Sequence, residues 1–292
     1  MEQIKVGLYG RTSLSADADR LKMLMQILRR GASVCVYAPF AENLGLNGGG
    51  EFEFERFASA QELERVPDCL LSIGGDGTFL EASRFAVELD IPILGINFGR
   101  LGFLAQVAAE EMEPALEQLF RKDYTVEKRT LISVYDGEGS LIDPYALNEV
   151  TVQRSNPTML RTVLHVDGEL LSAYWSDGIL ISTPTGSTAY SLSLGGPVVT
   201  PDNRSFVVSP IAPHNLNLRP IVISDESEIV VETETRKGTA VLSIDNRMME
   251  LASGTRFTVK KSQNMLNFLK LKNYNFFKAL RTKLNWGTDL RS

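Results

Sequence analysis

Gly74-Gly75-Asp76-Gly77-Thr78 sets one carboxylate among three glycines, directly after the apolar run Cys69-Leu70-Leu71-Ser72-Ile73. A short apolar run preceded by Pro67-Asp68 has the pattern of a strand buried on both faces, and the glycines must end it in a turn. Glycine admits positive φ and lets backbone N–H groups come close to a ligand; Thr78 is a candidate N-cap for a helix from Phe79 onward. The amides of such a turn and of a helix N-terminus point at phosphate oxygens, which makes Gly74, Gly75, Gly77 and Thr78 candidate phosphate-binding residues. Asp76 is out of place in an anion cradle unless it takes a proton from an attacking hydroxyl or holds a magnesium ion, both of them roles in phosphoryl transfer. The structural alternative is an Asp-Gly side chain that only bonds its own turn.

A second stretch with chemical content runs from Ser176-Asp177-Gly178 through Ser182-Thr183-Pro184-Thr185-Gly186-Ser187-Thr188-Ala189-Tyr190. A strand opens there into a loop with five hydroxyl residues and then a short helix, a combination able to bond a polar ligand through hydroxyls, amides and a helix N-terminus. It holds no Gly-x-Ser-x-Gly elbow, and no lysine follows the glycine, so serine-hydrolase and Walker-type ATPase chemistry is unsupported. Asn148-Glu149 places an amide and a carboxylate in an otherwise apolar strand over residues 145–153. Neighbouring strand residues point to opposite faces, so one of the two meets a ligand or a loop, or faces water. His214, in a proline-rich loop over residues 211–220, and His165, beside a hairpin turn, are expected to be structural histidines.

The elements that must position these residues follow from periodicity. Strands are expected at residues 4–9, 33–37, 69–73 and 91–96. Helices are expected from Leu21, Leu24, Met25 and Leu28, from residues 79–89, and from Met112, Leu116, Leu119 and Phe120. Loops are expected at residues 10–15 and around Gly48-Gly49-Gly50, an edge strand around Phe52 and Phe54, and a capping box between Ser59 and Glu62. Alternation of strand and helix implies a parallel sheet with helices on its faces, which binds ligands beyond the carboxyl ends of its strands. Both Gly74-to-Thr78 and the second glycine turn, Asn97-Phe98-Gly99-Arg100-Leu101-Gly102, lie at such ends. From residue 124 the pattern becomes a succession of strands separated by turn signals such as Asp136-Gly137 and Asp167-Gly168. The expected fold is therefore an α/β domain with a parallel sheet over residues 1–123 and a mostly β domain over residues 124–271. A C-terminal amphipathic helix (Phe276, Leu280, Leu284) within residues 272–292 is expected to return to the first domain.

The 292-residue chain carries a net charge of -6, which speaks against a nucleic-acid partner. No apolar run approaches the roughly 18 residues of a membrane span and the N-terminus has no apolar targeting core, so a cytoplasmic protein without membrane association is expected. Cys35 and Cys69 are the only cysteines, each in an apolar run, and are expected to be reduced core residues; with two histidines and no Cys-x-x-Cys, a protein-built metal site is not expected.

The pentapeptide at 74–78 is similar to a signature shared by NAD kinases, diacylglycerol and sphingosine-type lipid kinases and, more loosely, phosphofructokinases. With Gly99-Arg100-Leu101-Gly102-Phe103-Leu104, Asn148-Glu149, the Ser176-to-Tyr190 run followed by Gly195-Gly196-Pro197, Ala212-Pro213-His214 and Lys283-Leu284-Asn285-Trp286, the chain resembles the NAD kinase family over most of its length. The Thr-Pro-Thr-Gly-Ser-Thr-Ala-Tyr run separates it from the lipid kinases. The resemblance implies transfer of the γ-phosphate of ATP to the 2′-hydroxyl of the adenosine ribose of NAD, with Asp76 as general base in preference to metal ligand, and with a divalent cation, Mg2+, bound mainly through ATP. It implies that Asp76, Gly77, Asn148, Glu149, Asp177, Thr188, Ala189, Tyr190, Ser193, Ala212 and His214 line the NAD site, Asp177 from across a subunit interface of a homodimer or homotetramer. Where the family commonly has Asp-Gly-Gln, this chain has Asp245-Asn246-Arg247; asparagine tolerates the left-handed conformation, so the turn is expected to survive. The alternatives are a lipid kinase of the diacylglycerol kinase type and a non-catalytic NAD(P)-sensing module.

Overall fold

The computed structural model describes residues 3–11, 18–43, 54–99, 102–236, 238–272 and 274–287. Gly48-Gly49-Gly50, residues 12–15 of the first loop, Phe52, and Arg100-Leu101 of the second glycine turn lie outside them. Contacts divide the chain into two compact units, Met1–Lys128 with Leu266–Ser292, and Arg129–Met265.

The first unit begins with β1 (Ile4–Gly10), α1 (Ala18–Leu28), β2 (Ala32–Tyr37), α2 (Ala38–Asn43), β3 (Glu55–Phe57) and β4 (Cys69–Ile73). It continues through α3 (Asp76–Glu88), β5 (Ile93–Asn97), β6 (Val107–Ala108) and α4 (Met112–Phe120) into β7 (Tyr124–Asp136). The strands pair in parallel in the order β3-β2-β1-β4-β5-β6. Every residue of β1, β4 and β5 is buried, as a parallel sheet covered on both faces requires. Leu21, Leu24, Met25, Ile27 and Leu28 of α1 and Met112, Leu116 and Leu119 of α4 close one side of the core. Helix α2 has no counterpart in the sequence expectation; Pro39 falls in its first turn, where a missing N–H is tolerated. Ser59 and Glu62 flank only a short 3-10 turn, in which the Glu62 carboxylate accepts the Ala58 amide at 2.8 Å and the Ser59 hydroxyl at 3.2 Å, so the reciprocal capping box does not form.

The second unit takes up β7 at Arg129 and adds β8 (Leu141–Ala146), β9 (Glu149–Arg154), β10 (Leu160–Val166), β11 (Glu169–Ser176) and β12 (Gly178–Ser182). A short helix α5 (Tyr190–Ser193) precedes β13 (Ser205–Ile211), β14 (Ile221–Ser224), β15 (Ile229–Thr235), β16 (Ala240–Ile244), β17 (Arg247–Leu251) and β18 (Arg256–Leu271). An antiparallel sheet runs β14-β13-β12-β9-β16-β17, and β11, β10, β15 and the first part of β18 pair in a second layer. Val150, Val152, Ile179, Ile181, Leu242 and Ile244 of the first sheet pack with Leu164, Ile229, Val231, Phe257 and Val259 in one core. The β10–β11 turn holds Asp167 and Gly168 at φ of 53° and 84°, the tight hairpin that the sequence signals. The single strand expected over 145–153 is instead two, β8 and β9, broken at Leu147-Asn148 for a reason given below. Strand β18 runs 16 residues, through the polar Lys260-Lys261-Ser262-Gln263-Asn264 stretch.

Both crossings between the units fall inside strands, β7 and β18, while the sequence suggested changes at 123/124 and 271/272. Past Met265 the chain rejoins the first unit, where Phe268 pairs in parallel with Ile93 and α6 (Phe276–Leu284) follows. The side chain of Asn275 caps this helix by accepting from the amides of Phe277 (2.9 Å) and Lys278 (3.2 Å), and Asn285 ends it at φ 49°.

Candidate active site

Register puts the first site in place. Ile73 at the end of β4 stands opposite Ile96 near the end of β5, so the chain leaves both strands side by side at their carboxyl ends. The Gly74 amide donates to the Ile96 carbonyl at 2.9 Å, and Gly74 turns at φ 141°, with Thr78 Oγ1 only 2.5 Å from where a Cβ would be. Gly74 and Thr78 therefore build the turn from within. The helix starts earlier than expected: Gly75, not Thr78, is the N-cap of α3, and its carbonyl accepts the amides of Thr78 and Phe79 at 3.0 and 3.1 Å. Thr78 is buried against the turn. The cradle narrows to the exposed Gly75-Gly77 segment, whose leading N–H groups no helical carbonyl can reach and where the helix dipole favours an anion. The Arg11 guanidinium, paired with Glu81 (Nε to Oε2, 3.0 Å), lies 3.7 Å from the point where a Gly77 side chain would begin.

Asp76, in the first turn of α3, is held by the chain that follows the second glycine turn. Its Oδ2 accepts the Phe103 amide at 2.7 Å, and its Oδ1 accepts the amides of Leu104 and Ala105, both at 3.0 Å. A carboxylate has about four lone-pair sites. Three are filled by backbone, and the one left over is on Oδ2. The closeness depends on glycine: a Cβ at Gly102 would sit 1.7 Å from Asp76 Oδ1, and one at Gly95 would sit 2.6 Å from Ala105 Cα. The ring of Phe103 carries a further group, Lys283 of α6, with its Nζ 4.2 Å from the ring centroid. Burial pushes the Lys283 ammonium down to about 8, against the opposing pull of the Asp76 charge.

The second unit repeats the device around Asp245. This half-buried residue takes the left-handed conformation (φ 50°) that the sequence reading gave to Asn246. Its carboxylate accepts the amides of Leu147 (2.9 Å), Asn148 (2.8 Å) and Glu149 (3.2 Å). Those bonds take the backbone of 147–148 out of the sheet and split the expected strand. Arg247, across the same turn, bonds Asp143 Oδ2 at 2.8 Å and the Tyr145 carbonyl at 2.9 Å, which fixes the end of β8. The hydroxyl-rich loop closes over the other side. The Thr183 hydroxyl donates to the Leu147 carbonyl at 2.5 Å and accepts the Gly186 amide at 3.1 Å; a Cβ at Gly186 would sit 2.1 Å from the Asn148 carbonyl oxygen.

Asn148 is buried, and Glu149 beside it has an enclosed Oε2 with no hydrogen-bond partner. Burial, with the Asp245 charge adding to it, pushes the Glu149 carboxyl up to about 8. The folded protein thus keeps a proton that the unfolded chain, with an ordinary value near 4.5, gives up. Stability from this group is complete below about pH 4.5 and is lost as pH rises toward 8. The expected outcome is that Glu149→Gln, which holds its polarity at every pH, gains stability on the parent between pH 5 and 8.5 in paired thermal melts; parallel curves would show Glu149 charged throughout.

Of the five hydroxyls expected to meet a ligand, four are engaged by the protein's own backbone. Ser182 donates to the Thr183 carbonyl (2.8 Å), Ser187 to the Pro184 carbonyl (2.7 Å) while accepting the Val199 amide (3.0 Å), and Thr188 to the Thr185 carbonyl (3.2 Å); Thr183 is spoken for above. Thr185 is buried, so the hydroxyls shape the loop more than they present it. Thr188, Ala189 and Tyr190 are half-buried and Ser193 is exposed. Asp177 forms a two-pronged pair with Arg154, Nε to Oδ1 at 2.9 Å and Nη2 to Oδ2 at 3.0 Å. Ala212, exposed at φ 43°, precedes the exposed His214, whose amide donates to the Trp175 carbonyl at 2.8 Å. A cavity of about 520 Å³ includes His214, Trp175 and Arg236 but none of Asn148, Glu149, Asp177 or Tyr190. The structure gathers Asn148, Glu149 and the 183–188 loop around Asp245, and sets His214 in separate surroundings. Sequence reasoning missed Asp245, Gly102, Arg11 and Lys283 as parts of these arrangements. Only the placement of Asp245 in a turn and of Gly102 in a glycine-rich one gave a local signal.

Cys35 and Cys69 are buried and free. Among the described residues no group of three or more His, Cys, Asp or Glu could hold a metal ion, and no helix is long and apolar enough to cross a membrane.

Two family models match in chain order: the ATP-NAD kinase N-terminal domain over residues 15–124 and the ATP-NAD kinase C-terminal domain over residues 147–271. The NAD kinase of Christiangramia forsetii is 40% identical over 295 residues, spanning 99% of this chain and 100% of its own. That of Cytophaga hutchinsonii is 44% identical over 241 residues, 82% of each. An NAD kinase from Archaeoglobus fulgidus in complex with ATP superposes with a TM-score of 0.73 at 30% identity, covering 97% of this chain and 99% of that one. Yeast NADH kinase complexed with NADH shares the fold, with a TM-score of 0.85 at 22% identity over 100% of this chain and 90% of that one. Two domain models in order, and relatives matched over almost their full length, show that the chain belongs to the NAD kinase family.

Proposed function

We propose that the protein transfers the γ-phosphate of ATP to the 2′-hydroxyl of the adenosine ribose of NAD, giving NADP and ADP. The observation that carries the mechanism is the Asp76 carboxylate, fixed by three amides and left with one free lone pair on Oδ2 in the first turn of α3. A base held this rigidly needs no reorganisation when the 2′-hydroxyl arrives. Oδ2 takes the hydroxyl proton, the ribose oxygen attacks the γ-phosphorus in line, and ADP leaves. The leading amides of α3 at Gly75 and Gly77, with Arg11 beside them, hold phosphate oxygens, while Gly74 and Thr78 shape the turn. Asn148 and Glu149 hold the ribose and adenine region, with Thr188, Ala189, Tyr190, Ser193, Ala212 and His214 as further dinucleotide contacts. The neutral Glu149 acid can donate a hydrogen bond that a carboxylate could not. Asp177 acts across a subunit interface in this reading, which requires it to share or leave its pair with Arg154. The ligands of the two structural relatives, ATP and NADH, are of the classes required.

Magnesium, which prefers phosphate oxygens and water to all-protein cages, fits a site where Asp76 lies at the phosphates and no cluster of three or more carboxylates that could hold a metal ion stands among the described residues, and when bound would neutralise the triphosphate charge. A homodimer or homotetramer formed through the second unit is supported by large apolar side chains exposed there, Met248 at 77% and Leu170 at 63% among them. A cytoplasmic location is in keeping with two reduced, buried cysteines. The reading is tested by incubating the purified protein with NAD, ATP and Mg2+. NADP should accumulate one for one with ADP, and diacylglycerol offered in place of NAD should give no lipid phosphate. Absence of NADP under these conditions would overturn the assignment.

A further inference from the structure

Lys283 has no task in the reaction as stated, yet its placement is unfavourable without one. Its Nζ is fully enclosed and has no hydrogen-bond partner among the described residues. An ammonium carries three donors, and enclosing it without an acceptor is costly; the face of Phe103 at 4.2 Å offsets only part of this. Lysines at protein surfaces ordinarily extend their heads to water, as the exposed Lys278 and Arg281 of the same helix do. Helix α6 does not need the charge for anchorage, since Leu280 is buried and Asn275 caps it. The enclosed ammonium stands instead by the site: Phe103 lies beneath it, and the amide of Phe103 is the donor to Asp76 Oδ2, the oxygen with the free lone pair. Among the described residues no carboxylate forms an ion pair with Lys283, although the Asp76 charge acts on it.

What would satisfy such a group is an anion delivered from outside with oxygens to spare. A phosphoryl group in transfer brings three equatorial oxygens on which charge is spread. We propose that Lys283 is a catalytic residue whose ammonium contacts the terminal phosphoryl group of ATP beside Asp76. Its free-state burial without a partner is then the preorganised half of a contact that ATP completes. The identity of the acceptor rests on the NAD kinase reading; the contact to the terminal phosphate does not.

The test is Lys283→Met, which keeps the apolar stem and removes the ammonium. Loss of a charged hydrogen bond predicts a fall of about 10- to 100-fold in kcat/KM for ATP, with KM for NAD within about twofold of the parent. The thermal midpoint of the ligand-free variant should hold or rise, because an unpaired buried charge has gone. Unchanged kcat/KM for ATP overturns the proposal, as does a loss of activity accompanied by a falling midpoint, which would make Lys283 a packing residue. If the parent makes no NADP, the acceptor reading fails and the contact is judged by binding alone: the parent should favour ATP over ADP, and Lys283→Met should lose that preference.

Discussion

Asp76→Asn is expected to lower kcat by about 10²- to 10⁴-fold, the range for removing a general base. The same substitution should also cost stability, which a base standing free in the site would not. An Asn side chain can keep the amides of Leu104 and Ala105 on its carbonyl oxygen, but its NH2 then faces the Phe103 N–H, donor against donor, where Oδ2 now accepts at 2.7 Å. A buried amide left without an acceptor costs about 1–3 kcal/mol. Single-turnover NADP formation reads the first effect, denaturant unfolding the second, and NAD titration should show binding close to the parent's. Near-normal turnover would remove Asp76 from proton transfer. Lost turnover with unchanged stability would show that the three amides merely tolerate the carboxylate.

Gly102→Ala addresses the same carboxylate without altering its chemistry. The added Cβ would lie 1.7 Å from Asp76 Oδ1 and 2.3 Å from its Cγ, so either the carboxylate or the backbone at 102 has to move by more than 1 Å. Misplacement on that scale costs on the order of 10²-fold in rate. Gly102 is not among the residues with positive φ, so the expected loss comes from contact and not from backbone strain. The expected result is a kcat about 10²-fold below the parent with KM for NAD little changed, since, apart from Asp76 and Gly77, the residues proposed to hold the dinucleotide are at 148–149 and beyond. Turnover within threefold of the parent would mean that the 102–105 chain does not hold Asp76 in its working position.

Much of the first unit was legible because its signals are local. The apolar run of β4, the glycine turn and the amphipathic α1 and α4 each carry their pattern within a dozen residues, and the parallel order follows from their alternation. What stayed hidden acts over distance. Nothing near Asp76 shows that its partners come 27 to 29 residues later, and nothing near Asn148 shows that Asp245 takes the amides around it from 96 to 98 residues away. The break between β8 and β9 was illegible for that reason, since residues 145–153 read as one strand until Asp245 is brought against them. Arg247 likewise finds its partner far off, in Asp143, 104 positions earlier. In the hydroxyl-rich loop, Ser and Thr suggest ligand contact by composition, and the fold adds what composition cannot show, that Ser182, Thr183, Ser187 and Thr188 donate to nearby carbonyls.

Strand β18 has a consequence for the order in which the chain acquires structure during synthesis. The first unit's core includes Leu269 and Leu271, and the ring of Phe268 packs 5.7 Å from that of Phe79 in α3. All three residues come after the whole second unit. At roughly 5–20 residues per second, the ribosome takes on the order of ten seconds to pass from residue 129 to residue 265. Through that interval the N-terminal sheet lacks part of its core, while the uninterrupted second unit can close first. The glycine turn is among the early parts to be made, yet the helix that brings Lys283 to it is made after everything the turn is proposed to act with.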